Sequence, residues 1–170
     1  EVLELLLRTS PQLHTLTVHS GAAAHTAAEW HLCVAALARG VGASRVLHTL
    51  NLRTFALDGE AGAHLAAQLR GHASLTALRL ANNRLEAAAL CAMVAGNHSL
   101  RVLAVQENPM PHAELHELAQ LVGSSPNLTE LRISQCQLHD VAAGHLAVAL
   151  QLSTALGLPL ARLELQGNQL

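Results

Sequence analysis

His112 and His116 stand four residues apart with Glu114 and Glu117 close by. On a helix that spacing puts two imidazoles on one face, where they could share a zinc ion. The order is His-Ala-Glu-Leu-His rather than the His-Glu-x-x-His of zinc hydrolysis, and the repeat places no third ligand. The other histidines among the twelve are spread over turns and helix surfaces. His139-Asp140 lacks a recognisable nucleophile context. Cys33 and Cys91 fall on helix segments and Cys136 at a turn, an odd, scattered set that suits a reducing compartment. There is no Lys, which removes a Walker phosphate loop and any Schiff-base mechanism. The expectation is a chain with no catalysis, no cofactor and no metal.

Two further motifs have bland readings. Leu3-Glu-Leu-Leu-Leu7 contains LxxLL, which elsewhere fills grooves on partners, but these leucines also fit a core-facing helix. Asn97-His-Ser99 and Asn127-Leu-Thr129 are glycosylation sequons, read as unmodified asparagines that close loops just before strands.

The composition explains why chemistry is scarce. Of 170 residues, 51% are hydrophobic, yet Trp30 and Phe55 are the only aromatics. Leu (36) and Ala (31) dominate, and charged residues reach just 13%. A core must then gain its area from small contacts repeated along the chain. Net charge is −2 with no basic run, which argues against a strong grip on nucleic acid. Residues 141–161 carry no Asp, Glu, Lys or Arg, long enough to span a bilayer. His145, Gln151, Ser153, Thr154 and Pro159 in that stretch oppose a span, so no membrane is expected.

A repeat accounts for the leucines. LxxLxL, with Val or Ile sometimes closing it, starts at Leu13, Leu47, Leu75, Leu100, Leu128 and Leu160. Three residues after its last apolar position stand Asn83, Asn108, Cys136 and Asn168; Gly21 and Phe55 replace them in the first two copies. Each copy continues into a helical pattern such as Leu65-Ala-Ala-Gln-Leu69 or Leu146-Ala-Val-Ala-Leu150. Gly40, Gly71, Gly96, Gly123 and Gly157 lie where a left-handed residue would end those helices. Every unit is thus strand, turn and returning helix. Residues 1–12 form a partial repeat, five repeats start at 13, 47, 75, 100 and 128, and 160–170 is partial. With both ends uncapped, the chain is expected to be a fragment of a longer solenoid, monomeric or weakly self-associating.

This pattern resembles the leucine-rich repeat family, and its ribonuclease-inhibitor-like subclass in particular, over essentially the whole chain. The alternation of Asn108 and Cys136 at the turn position is similar to that subclass. The resemblance implies an α/β right-handed solenoid, or horseshoe, with a parallel sheet on the concave face and helices on the convex face. It also implies a protein-interaction module. Such repeats occur in NOD-like receptors of innate immunity, Ran GTPase-activating proteins, ribonuclease inhibitors and cytoskeletal or axonemal scaffolds. The favoured reading is the sensing or autoinhibitory region of a larger cytoplasmic receptor, or a scaffold. Direct ligand or RNA sensing on the concave face, and a GTPase-activating or cytoskeletal scaffold role, are the alternatives.

The strand pattern places three rows on the concave face. They read Thr15, Thr49, Ala77, Val102, Glu130, Arg162; Thr17, Asn51, Arg79, Ala104, Arg132, Glu164; and His19, Arg53, Ala81, Gln106, Ser134, Gln166. At about 4.8 Å per strand they offer about 24 Å of width. Cross-strand ion pairs are expected between Glu130 and Arg162 and between Arg132 and Glu164. Arg53 and Arg79, beside Ala77, Ala81 and Ala104, form the expected basic and apolar contact patch. Asn51, Gln106, Arg132, Glu130, Arg162 and Glu164 complete the candidate protein-binding residues.

Overall fold

The computed structural model describes residues 2–19, 27–110 and 112–170. Gly21 and the side chains of Leu3, His112, Glu114 and Leu118 lie outside the described residues. Helices and strands alternate: α1 (Val2–Thr9), β1 (Thr15–His19), α2 (Ala27–Ala43), β2 (Thr49–Arg53), α3 (Gly59–Leu69) and β3 (Ala77–Arg79). Then follow α4 (Ala87–Val94), β4 (Val102–Ala104), α5 (His112–Ser124), β5 (Glu130–Arg132), α6 (Asp140–Ala155) and β6 (Arg162–Glu164). The strands form one parallel sheet in the order β1-β2-β3-β4-β5-β6. Among the described residues, strands pair with their sequence neighbours and helices pack on the adjacent helices, the one-dimensional contact pattern of a solenoid.

The leucine positions decide the layers. Leu50, Leu52, Leu78, Leu80, Leu103, Val105, Leu131 and Ile133 point inward and are at most 1% exposed. Each such burial contributes about 1.5–3 kcal/mol. On the helix side, Ala61, Gly62, Leu65, Ala66 and Leu69 make one buried stripe of α3. In the outer strands the same inward positions, Leu16, Val18, Leu163 and Leu165, are only half-buried, because each has a neighbour on one side alone. No helix among the described residues is long and apolar enough to cross a membrane.

Helix endings depart from the expected glycine pattern. Gly71, Gly96 and Gly157 follow α3, α4 and α6 with φ of 67°, 70° and 66°. Gly40 and Gly123 instead lie inside α2 and α5. A Cβ on Gly40 would come within 2.9 Å of Leu7 Cδ1 and 3.0 Å of Glu4 Cα, so its role is close approach of α1 to α2.

The asparagine positions tie the turns together. Asn108 Oδ1 accepts from the backbone N–H of Asn83 (2.9 Å) and Leu85 (3.1 Å) in the preceding repeat. Its Nδ2 donates to Leu80 O and Val105 O, both at 2.8 Å. Asn83 accepts from Phe55 N in the same way, and Asn168 from Cys136 N and Leu138 N. Cys136 holds the slot between them: its thiol donates to Val105 O at 3.3 Å. Burial pushes that thiol up from 9.0 to about 11, against the opposing backbone N–H groups of Asn108 and Glu107.

Phe55 cannot bond as an asparagine does, and the fold compensates. The Trp30 indole N–H donates to Phe55 O at 2.9 Å, and the two rings pack with centroids 5.0 Å apart. The residue just before the slot turns left-handed in successive repeats: Thr54, Asn82, Glu107 and Gln135 have φ of 57°, 54°, 59° and 57°.

Candidate functional site

The strands deliver the concave rows in the expected register. Thr15, Thr49, Ala77, Val102, Glu130 and Arg162 are successive partners across the sheet, as are Thr17, Asn51, Arg79, Ala104, Arg132 and Glu164. Parallel pairing without a bulge keeps side chains of equal position side by side. The third row is paired at His19 and Arg53, then continues through turn hydrogen bonds to Gln106, Ser134 and Gln166.

Charge is unevenly settled over this face. Arg162 Nη1 lies 3.7 Å from Glu130 Oε1 and Arg132 Nε lies 3.6 Å from Glu164 Oε2, the cross-strand pairs that the register dictates. Arg132 also grips Glu130 within its own strand at 2.5 Å. The β5–β6 end is therefore a self-neutralised network. Glu130 and Glu164 are well shielded, whereas Arg162 extends into solvent.

The expected basic patch is half dismantled. Arg53 Nη2 reaches Glu107 at 3.2 Å, spanning two strands, so its charge is already answered. With 49% and 35% of the two side chains exposed, the pair adds under about 1 kcal/mol of stability. Glu107 sits in the left-handed turn after β4. Ala77 and Ala104 are also no part of an exposed surface, being 6% and 2% exposed. Their methyl groups are too short to rise above the longer side chains around them. What remains open at the centre is Thr49, Asn51, Arg79, Ala81, Val102 and Gln106, all half-buried. Among the described residues, Arg79 is the concave arginine with no carboxylate beside it.

Elsewhere the chemistry-bearing residues take structural or isolated positions. Among the described residues no group of three or more His, Cys, Asp and Glu is arranged to hold a metal ion. The pairing of His116 with His112 lies outside the described residues; His116 meets His145 of the next helix, with ring centroids 5.0 Å apart. Cys33 is an exposed free thiol and Cys136 a buried one. Asn97 is 9% exposed and its Oδ1 accepts from Ser99 N and Leu100 N, closing the loop before β4 as its position implied. The core reading of Leu3–Leu7 holds for Leu7 alone of the described leucines there. Leu5 and Leu6 are 62% and 53% exposed, because α1 buries just one narrow stripe against α2.

Fold and surface together define an α/β leucine-rich repeat solenoid with an open parallel sheet. Residues 124–147, covering β5 and the first half of α6, match the family model "Leucine Rich repeat". The chain is similar in structure to the tropomodulin C-terminal domain of Caenorhabditis elegans, with a TM-score of 0.65 and 13% identity. That match covers 92% of this chain and 93% of the other. It is also similar to leiomodin-1 actin-binding site 2, with a TM-score of 0.60 and 11% identity over 92% of each chain. At such identities the likeness is one of fold. No curated protein sequence matches the chain.

Proposed function

We propose that this chain is a protein-interaction module without chemistry of its own, and that strands β2–β4 of the concave face form its contact surface. The observation that carries this reading is Arg79, a half-buried cation in register with Asn51 and Ala104 and left without a carboxylate while its neighbours are neutralised. A half-buried guanidinium of this kind suits a carboxylate from a partner. Asn51 and Gln106 would add hydrogen bonds and Val102 an apolar contact. Arg132, Glu130, Arg162 and Glu164 would frame the site and set register rather than supply affinity.

Two finer readings have distinct support. The fold neighbours favour a cytoskeletal scaffold; one of them is named for an actin-binding site, which makes actin the first partner to test. The Asn and Cys alternation at positions 108 and 136 supports the ribonuclease-inhibitor-like subclass, and with it a receptor's sensing or autoinhibitory region in the cytoplasm. Direct RNA sensing has less support than the sequence suggested, since Arg53 is paired and no aromatic stands on the face.

Co-sedimentation with actin filaments and proximity labelling in cells, each with wild type and Arg79→Glu, test the proposal. Charge reversal should cut capture of the specific partner about tenfold or more. An unchanged partner set with Arg79→Glu would remove the β2–β4 surface from consideration. Absence of wild-type pelleting with actin would dispose of the actin assignment.

A further inference from the structure

A second feature lies on the convex side, between α5 and α6. Here His116, Gln120 and Ala119 of α5 face His145, Val148, Ala149 and Leu152 of α6 around an open groove of about 170 Å³. The His116 and His145 rings stand with centroids 5.0 Å apart and planes at 69°. His145 Nδ1 is shut off from solvent and has no hydrogen-bond partner among the described residues. Since that nitrogen is unpaired, the two rings are not bonded to each other through it. A buried polar atom of this kind calls for a partner that the described residues do not supply.

We propose that His116 and His145 form a two-imidazole site for a borderline divalent transition-metal ion of the zinc class, linking α5 to α6. Two imidazoles on one tetrahedral ion, at metal–nitrogen distances of about 2.0–2.1 Å, have ring centres about 5 Å apart. The rings therefore already stand at the separation such an ion needs. Among the described residues no carboxylate lines the groove, which disfavours calcium and magnesium, whose ligands are oxygens. Imidazole suits zinc, copper and nickel. Val148, Leu152, Ala119 and Ala149 complete the groove with apolar walls, and a metal ion there would accept a lone pair from each ring. Gln120 Nε2 lies 2.8 Å from His116 Nε2, so this amide can orient the His116 ring or be displaced by the ion. The open side leaves the remaining coordination positions to water or to a partner's donor. The side chain of His112, one turn before His116, lies outside the described residues; among the described ones, the ring that stands against His116 is His145.

Isothermal titration with zinc chloride on the whole chain tests the site in wild type and in His116→Ala, His145→Ala, His112→Ala and His64→Ala variants. The tightest zinc site should weaken about tenfold or more in His116→Ala and in His145→Ala, and persist in the other two. Far-UV circular dichroism checks that His145→Ala still folds, and the exposed position of His116 makes its variant a safe second measure. Survival of the tight site in His145→Ala with loss in His112→Ala would assign it to one face of α5 and overturn the cross-helix site. Absence of zinc binding in wild type would leave His145 Nδ1 to a water molecule and overturn it too.

Discussion

Replacing Asn108 with Leu should cost this solenoid more than any change of similar size on its surface. The asparagine is fully buried and its amide serves two repeats at once. Without it, the N–H groups of Asn83 and Leu85 lose their acceptor, and Leu80 O, Val105 O and Gln106 O lose a donor. A buried polar group left unsatisfied costs about 1–3 kcal/mol, and the two amides weigh more than the carbonyls, whose second lone pairs can find other donors. The expected loss is about 3–4 kcal/mol, against a total stability of about 5–15 kcal/mol for a natural domain. Urea unfolding followed by far-UV circular dichroism gives the magnitude. Hydrogen exchange should also show faster exchange at the Asn83 and Leu85 amides, while amides around β6 stay protected. Cys136→Val in the same slot is the comparison. Its thiol makes weak hydrogen bonds, so the loss should stay near about 1 kcal/mol. A loss under about 1 kcal/mol for Asn108→Leu, or equal losses for the two variants, would refute the idea that the side-chain amides lock the repeats together.

Other expectations follow from single observations. Thr54 is a β-branched residue held at φ 57°, so Thr54→Asn should raise stability by about 1 kcal/mol in the same urea experiment; a loss would show that its hydroxyl bond to Arg53 O outweighs the strain. Cys136 is held neutral by burial with its pKa raised from 9.0 to about 11, so it adds stability that is complete below pH 9. That contribution, about 2–3 kcal/mol, is lost as pH rises through 11, and Cys136→Ser should flatten the decline. Trp30→Phe removes the donor to Phe55 O and should cost about 1–2 kcal/mol; an unchanged midpoint would mean that ring contact alone holds that turn. The outer edges of β1 and β6 are unpaired among the described residues, and Leu5, Leu6, Leu32, Leu152 and Leu156 are more than half exposed. Light scattering should therefore show association that grows with concentration, and a strict monomer at high concentration would contradict this.

What the sequence determined by itself is whatever repeats. The closing LxL of each LxxLxL defines a strand with a period of two, and the same order of strand, turn and returning helix in every copy sets equivalent residues side by side in a parallel sheet. The concave rows Thr15 to Arg162 and Thr17 to Glu164 were therefore legible before any coordinates, as were the cross-strand pairs at β5 and β6. The asparagine slots were legible for the same reason, because a buried amide at a fixed turn position has few alternatives to bonding the backbone.

Tertiary structure alone decided the features that break the repeat. Glu107 reaches Arg53 from 54 residues away because a left-handed turn after β4 aims it back across the face, and no local spacing reports that direction. The burial of Ala77 and Ala104 depends on the height of surrounding side chains, not on their own facing. Trp30 covers the carbonyl of Phe55 because helix and turn happen to meet where the asparagine is missing. Gly40 sits inside α2 where a Cβ would press on Leu7 and on the Glu4 backbone, and a Cβ on Gly123 inside α5 would meet Ala149 O at a tight 3.3 Å. Periodicity is a local property of the chain and can be read along it. Which charge finds which, and which surface stays open, depends on distances between repeats that only the packed solenoid sets.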